Sequence, residues 1–195
     1  VQTCALPILY ATYSTNVAKI TSAGVATAAW ANLGAGNYAY DISAGPSGSM
    51  AVQSGYTGIK LFDASGSNTY SYSGTSGLSN VTVDGSGNVW GVAGQGAKSV
   101  GKIAAGAASG AAPTPKTLAD TPCDVTNDSA GNAYVGTGNS SVQKYTGSSF
   151  TSSATPSATY TVGTTNDCAL ANDATYIYVA RYSSNQGVID RIQIA

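Results

Sequence analysis

The residues whose chemistry could hold an ion are aspartates that recur at a regular interval. The nine acidic residues of the 195-residue chain are all Asp, and the chain has neither Glu nor His. Four of them follow one another at 43, 44 and 45 residues: Asp41, Asp84, Asp128 and Asp173. A calcium loop of the EF-hand kind needs a further carboxylate, usually Glu, to complete its oxygen ligands. The recurrence therefore favours a structural turn in each repeat over a metal site.

Two of these aspartates begin the sequence Asp-x-x-Gly-Asn. The predicted turn residues are Asp84, Gly87, Asn88, Asp128, Gly131 and Asn132. An Asp side chain can accept hydrogen bonds from the amides of its own turn, and Gly and Asn tolerate the left-handed conformation of short hairpins. The copy at Asp41 continues differently, which predicts a longer turn there.

Two cysteines occupy equivalent positions in neighbouring repeats. Cys123 and Cys168 each lie five residues before the aspartate of their repeat. Equivalent positions on neighbouring sheets come within disulfide range only where the sheets converge. Two interpretations stay open: small residues packed between sheets, which we favour, and a disulfide. No metal site is predicted, because neither His nor a third natural Cys is available.

A second marker keeps nearly the same interval. It consists of one basic residue on a short apolar strand in each repeat: Lys19, Lys60, Lys102, Lys144 and Arg191. These residues are five of only eight basic residues in the chain. The two markers together establish a repeat of about 43 residues, a length typical of stacked or radial repeat folds.

Within one repeat, the residues alternate on a period of two, which predicts β-strands. The clearest copy predicts strands over 122–128, 132–138, 141–146 and 157–163. The stretch 104–117 is low in complexity and predicts a long connection between outer strands. Trp90, Tyr134 and Tyr178 share nearly one phase, which favours packing between sheets. Each repeat is therefore expected to be a four-stranded antiparallel sheet, the unit of a β-propeller blade.

The markers resemble the NHL and YVTN-type propeller repeats, in which an Asp-x-x-Gly-Asn turn and a strand with a central Lys recur. The resemblance implies an all-β fold: a β-propeller fragment with three complete four-stranded antiparallel blades and two partial ones. The expected boundaries are a partial blade over 9–36, blades over 37–78, 79–121 and 122–166, and a partial blade over 167–195.

The first eight residues, VQTCALPI, are set apart from the repeats. They resemble the translation of a common sequencing adapter, and no basic region or small-residue cleavage site of a signal peptide is present. We expect residues 1–8 to be non-native, so that Cys4 does not belong to the natural protein. The first blade would then begin in its second strand, with further blades lost upstream.

Three polar residues lie off the turn phase, near the starts of first strands, where side chains can reach the mouth of a central channel. They are the candidates for a ligand or ion site: Asn80, Asp124 and Asp167. No catalytic residue is predicted, because general acid–base chemistry near neutral pH favours His or a tuned Glu. No cofactor is expected.

Composition limits the function. Charged residues make up 9% of the chain and the net charge is −1, so neither a nucleic-acid partner nor membrane insertion is expected. We expect a non-catalytic binding or scaffolding propeller of an exported protein, at the cell surface, outside the cell or in the periplasm, with a protein or glycan partner. The alternatives are an extracytoplasmic lyase or hydrolase with its catalytic residues in the missing blades, and a spacer in a larger surface protein.

Overall fold

The part of the chain that the structure describes folds into five antiparallel sheets that follow one another in sequence. A computed structural model describes residues 9–21, 23–55, 58–73, 78, 80–93, 97–163, 168–183 and 186–194. The predicted adapter segment, residues 1–8, lies outside the described residues. Three sheets have four strands and two have three. The predicted fold class is thereby confirmed, and we number the sheets as blades 1 to 5.

The two three-stranded blades stand first and last. Blade 1 contains β1 (Leu9–Tyr13), β2 (Asn16–Ile20) and β3 (Ala26–Asn32). Blade 5 contains β16 (Cys168–Asn172), β17 (Tyr176–Ser183) and β18 (Gln186–Gln193). In both, each strand pairs with the next in the chain.

The complete blades are meanders of four consecutive strands. Blade 2 contains β4 (Ala39–Ala44), β5 (Met50–Ser54), β6 (Gly58–Phe62) and β7 (Asn68–Ser73). Blade 3 contains β8 (Val81–Val83), β9 (Val89–Ala93), β10 (Ser99–Ile103) and β11 (Thr114–Thr117). Blade 4 contains β12 (Pro122–Asn127), β13 (Ala133–Thr137), β14 (Ser141–Tyr145) and β15 (Ala158–Thr161). The predicted connection over 104–117 therefore ends in a strand.

The apolar cores lie between blades. Four clusters of buried side chains fill the four gaps between successive blades. In the gap between blades 3 and 4, Trp90 and Val92 pack with Val125 and Val135. The second strands β5, β9 and β13 are buried along their whole length, as expected for strands covered on both faces.

The first strands of successive blades touch one another: β4 contacts β8, β8 contacts β12, and β12 contacts β16. The blades therefore converge on the side of their first strands. The two helical elements in the described part of the chain are single 3-10 turns. No helix among those residues is long and apolar enough to span a membrane.

The turn between the first and second strands is held by an aspartate. The Asp84 Oδ1 accepts hydrogen bonds from the backbone N–H groups of Ser86 and Asn88, at 2.9 and 3.0 Å. Gly87 has a φ of 84°, in the left-handed region that favours glycine. The turn in blade 4 repeats this pattern on Asp128, where Oδ1 accepts from the N–H groups of Ala130 and Asn132.

Asp41 has a different position from the one its spacing indicates, so its assignment to the turn is wrong. The residue of blade 2 that corresponds to Asp84 is Gly45, whose N–H donates to the Ser49 carbonyl at 2.8 Å. The matching bond joins the Asp84 N–H to the Asn88 carbonyl at 2.9 Å. The two turns have the same length, and that of blade 2 closes through a 3-10 turn at Pro46–Gly48 without a carboxylate.

The two sequence markers meet inside the blade. In blade 3, the Trp90 indole N–H donates to Asp84 Oδ2 at 3.1 Å, and the Lys102 Nζ lies 5.2 Å from the Trp90 ring centre. In blade 4, the Tyr134 hydroxyl donates to Asp128 Oδ2 at 3.1 Å, and Lys144 covers the Tyr134 ring. A cation over an aromatic face is attracted by the ring quadrupole. Lys102 and Lys144 thus stabilise their blades by covering an aromatic ring of the second strand.

Lys60 does not share this position, so its assignment to the basic marker is wrong. The register pairs Lys102 with Trp90, whereas the matching pair in blade 2 is Leu61 with Ala51. Lys60 pairs with Val52. Because strand side chains alternate between faces, a slip of one residue turns Lys60 to the opposite face. Its Nζ donates to the Leu33 carbonyl of the preceding blade at 2.6 Å.

Candidate functional site

Side chains at the start of the first strands connect neighbouring blades. Asp41 lies in β4, and its Oδ2 accepts a hydrogen bond from the backbone N–H of Val81 in blade 3, at 2.6 Å. Its Oδ1 accepts from the N–H of Ile42 at 2.8 Å. Two residues further along β4, the Ser43 hydroxyl accepts from the Val83 N–H at 3.1 Å. The polar groups of blade 2 thus bind the backbone of blade 3.

The structure brings two of the three predicted ligand candidates together. The Asn80 side-chain amide donates to Asp124 Oδ1 at 3.2 Å and to the Cys123 carbonyl at 3.0 Å. Asp124 Oδ2 in turn accepts from the N–H of Leu170 in blade 5, at 2.6 Å. The third candidate, Asp167, lies outside the described residues.

Burial dominates the electrostatics of these carboxyl groups. Burial raises the pKa of Asp41, and hydrogen bonds from the Val81 and Ile42 backbones oppose that effect. Burial likewise raises the pKa of Asp124, against hydrogen bonds from Leu170, Val125 and Asn80. Asp41 also experiences repulsion from Asp124. Both carboxylates accept hydrogen bonds from groups of the protein itself. These bonds stabilise the side of the fold on which the first strands converge.

No group of three or more metal-ligating side chains occurs among the residues that the structure describes. Asp41 and Asp124, whose carboxylates repel each other, each already accept hydrogen bonds from two backbone N–H groups. The site is therefore an array of hydrogen bonds between blades.

Cys123 and Cys168 form a disulfide between blades 4 and 5, with their Cα atoms 5.4 Å apart. The interpretation favoured from the sequence, in which the two cysteines are unbridged and pack between sheets, is therefore wrong. The pairing of β12 with β13 shifts register between Pro122 and Asp124, so Cys123 is the extra residue of a β-bulge. A bulge redirects a side chain, and here it accompanies the close approach to β16.

Gly136 makes room for this disulfide. A Cβ placed on Gly136 would lie 2.5 Å from the sulfur of Cys168 and 3.1 Å from that of Cys123. Contacts below about 3.0 Å do not occur for real Cβ atoms. The glycine on β13 and the cysteine pair therefore form one packing unit.

A shallow groove runs over the turns that join first to second strands, at the edge of the sheets opposite the start of the first strands. It has a volume of about 320 Å³ and is lined by the turn aspartates Asp84, Asp128 and Asp173 with their neighbours. Burial alone would raise the pKa of Asp128, but hydrogen bonds from Asn132 and Tyr134 and the charge of Lys144 outweigh it and lower that pKa. These carboxylates accept hydrogen bonds within their own turns, so their role is structural.

Exposed tyrosines lie at the edge where first strands begin and second strands end. Tyr38, Tyr40 and Tyr182 expose 55%, 50% and 62% of their surface. Tyr38 directly precedes β4, Tyr40 lies at its start, and Tyr182 lies near the end of β17. We call these three residues the tyrosine edge. From the sequence these tyrosines are candidates for stacking on a glycan, but their irregular spacing carries no periodic signal that would place them on one edge.

The fold and these sheet contacts define the chain as a β-propeller. No family model matches the chain, and no curated protein matches it either. Among solved structures, a chain of the mitotic checkpoint complex matches 92% of this chain with a TM-score of 0.70 and 15% identity. The present chain spans 56% of the length of that one.

Two bacterial structures are also similar. Virginiamycin B lyase from Staphylococcus aureus matches all of this chain and 72% of its own, with a TM-score of 0.63 and 14% identity. A protein of unknown function from Bacteroides caccae matches 95% of this chain and 71% of its own, with a TM-score of 0.55 and 12% identity. At such identities the likeness shows the fold alone.

Proposed function

We propose that the chain is a non-catalytic binding propeller of an exported protein, with repeats of NHL or YVTN type, which presents its tyrosine edge to a protein partner. The exposed rings of Tyr38, Tyr40 and Tyr182 carry the proposal. Tyrosine contributes large contact area with few rotatable bonds, and it is enriched at interfaces and their energetic centres.

The inner architecture supports a scaffold role. The axial carboxylates of Asp41 and Asp124 hold neighbouring blades together, and the turn carboxylates hold the hairpins. Rigid elements that carry exposed loops are a common arrangement for binding proteins. A chain of the mitotic checkpoint complex shares the fold, which is in keeping with a propeller in a protein assembly.

The disulfide supports export. Cys123 and Cys168 are bonded, and disulfides persist mainly in oxidising compartments such as the periplasm and the extracellular space. Charged residues make up only 9% of the chain, which is in keeping with an exported surface protein. A cell-surface, extracellular or periplasmic location is therefore part of the proposal.

Selection of displayed random peptides against the immobilised full chain tests the function. We expect selected peptides to bind wild type, to lose most of that binding on the triple change Tyr38→Ser, Tyr40→Ser and Tyr182→Ser, and to be recovered uncleaved. The control is Val25→Ser, which alters a residue that is 61% exposed at the opposite edge. Equal binding by wild type and the triple variant would refute the tyrosine edge, and cleaved peptides would refute the non-catalytic role.

A further inference from the structure

A cavity of about 530 Å³ opens beside blade 2, where the connection from blade 1 enters it. Its lining includes Asn37 from the connection between the blades, and Ser54, Gly58 and Lys60 from β5 and β6. Pockets that bind small molecules commonly have volumes of about 300–1,000 Å³. The volume admits a monosaccharide and leaves space for water around it.

Lys60 gives the cavity a positive charge. Its ammonium group has three N–H donors, and the bond to the Leu33 carbonyl uses one of them. None of the described residues that line the cavity is acidic. Lys60 lies one residue away, along its strand, from the position that Lys102 and Lys144 occupy. Its charge is therefore on the other face of the sheet, where it lines the cavity.

Ser54 gives the cavity a polar group that lacks a partner among the described residues. Its side chain is 4% exposed, and its Oγ makes no hydrogen bond there. In blade 4 the corresponding residue, Thr137, bonds to the hydroxyl of Ser141, which lies opposite it. In blade 2 the residue opposite Ser54 is Gly58. Buried hydroxyl groups are nearly always hydrogen-bonded, so Ser54 points to an occupant of this cavity.

Asn37 contributes an amide group to the cavity. Its side-chain N–H donates to the Leu33 carbonyl at 3.1 Å, which fixes the amide beside Lys60. The amide oxygen lies beside Gly55, which also lines the cavity, 4.0 Å from the position of a Cβ built on that glycine. The cavity therefore offers a cation, an amide acceptor and several hydroxyl groups, among them the unpartnered hydroxyl of Ser54.

We propose that this cavity binds a small hydroxylated carboxylate of the sugar-acid class. The Lys60 ammonium group pairs with the carboxylate, the Ser54 hydroxyl donates to a ligand oxygen, and the Asn37 oxygen accepts from a ligand hydroxyl. A sugar acid at the end of a polysaccharide and a free one share this chemistry. The site goes beyond the proposed function, since neither the tyrosine edge nor its protein partner takes part.

Calorimetric titration of the full chain with D-glucuronate, against D-glucose as a neutral ligand of similar size, tests the site. We expect saturable binding of glucuronate and much weaker binding of glucose. Lys60→Gln should weaken binding about tenfold or more, because it removes a charge-assisted hydrogen bond. Ser54→Ala should weaken it about fivefold, as the loss of one neutral hydrogen bond does. Lys116→Gln in β11, which removes the same charge elsewhere, should leave binding unchanged.

Ser54→Ala also separates ligand binding from a structural role. Because the Ser54 hydroxyl has no partner in the described protein, the variant should melt at the wild-type temperature or above it without ligand. A lower melting temperature would overturn the role given to Ser54, since it would show that the hydroxyl serves the fold. Absence of glucuronate binding, or equal binding to Lys60→Gln, would overturn the site. Binding of a short peptide carboxylate in preference to glucuronate would overturn the ligand class.

Discussion

Asp124 joins blade 4 to blade 5 by accepting the backbone N–H of Leu170 at 2.6 Å. The change Asp124→Ala leaves that partly buried N–H without an acceptor, and an unsatisfied buried donor typically costs about 1–3 kcal/mol. We expect the free energy of unfolding, measured by urea denaturation, to fall by this amount. The control Asp63→Asn keeps the side-chain oxygen that accepts from the N–H groups of Ser65 and Ser67 in an exposed turn, and it should change stability by less than about 0.5 kcal/mol. Equal effects of the two changes would contradict the role of Asp124.

The disulfide between Cys123 and Cys168 closes a separation of 45 residues. Constraint of the unfolded chain by such a loop contributes about 2–4 kcal/mol. The double change Cys123→Ser and Cys168→Ser should therefore lower the melting temperature. Thiol titration of the denatured chain provides the check, because one of its three cysteines should react before reduction and all three after it. Three reactive thiols before reduction would show that the bond does not form.

The hydrogen bond from the Tyr134 hydroxyl to Asp128 reaches a charged acceptor, whereas the Tyr145 hydroxyl donates to the neutral side chain of Gln143. Hydrogen bonds to charged groups contribute about 1.5–3 kcal/mol and neutral ones about 0.5–1.5 kcal/mol. Tyr134→Phe should accordingly destabilise the protein more than Tyr145→Phe in the same denaturation experiment. The reverse order would mean that the bond to Asp128 does not brace blade 4.

Acid should weaken the fold through Asp190. The hydrogen bond from Arg181 holds the pKa of Asp190 below its usual value, so the carboxylate contributes stability above its unfolded pKa of about 3.9. That contribution is lost as the pH falls through the folded pKa. Arg181→Gln should therefore lose less stability than wild type between neutral and acid pH, measured as the melting temperature. An unchanged pH profile would exclude this pair as a source of acid sensitivity.

Burial gives Asp41 and Asp124 the opposite dependence, because it raises their pKa values. The stability that accompanies their protonated forms is present below the unfolded pKa and is lost as the pH rises through the folded pKa. The two dependences partly cancel in wild type. For that reason the test above compares a variant with wild type and does not rely on the absolute profile.

Local interactions were the part of this structure that the sequence could predict. The turn aspartates Asp84 and Asp128 bond to amides two and four residues away, so the residues of one short segment carry the whole signal. The strands of blade 4 also follow from alternation within a segment, and the observed ends differ from the predicted ones by one or two residues.

Contacts between blades were beyond the sequence. Asp41 has the spacing of a turn residue, but its acceptor role depends on the Val81 N–H in the next blade. Lys60 has nearly the spacing of the basic marker, and a slip of one residue, which spacing hardly records, moves its side chain to the other face. The approach of Cys123 to Cys168 is accompanied by a bulge in β12 that no residue type announces.

The placement of the apolar clusters between blades has a consequence for synthesis. Trp90 belongs to one blade, and its neighbours Val125 and Val135 belong to the next. As the chain leaves the ribosome, the apolar face of each blade stays exposed to solvent until the next blade, about 43 residues long, has emerged and packs against it. Exposed apolar surface of this kind is a substrate for aggregation during folding. We expect the nascent protein to depend on chaperones along its whole length, at every blade in turn.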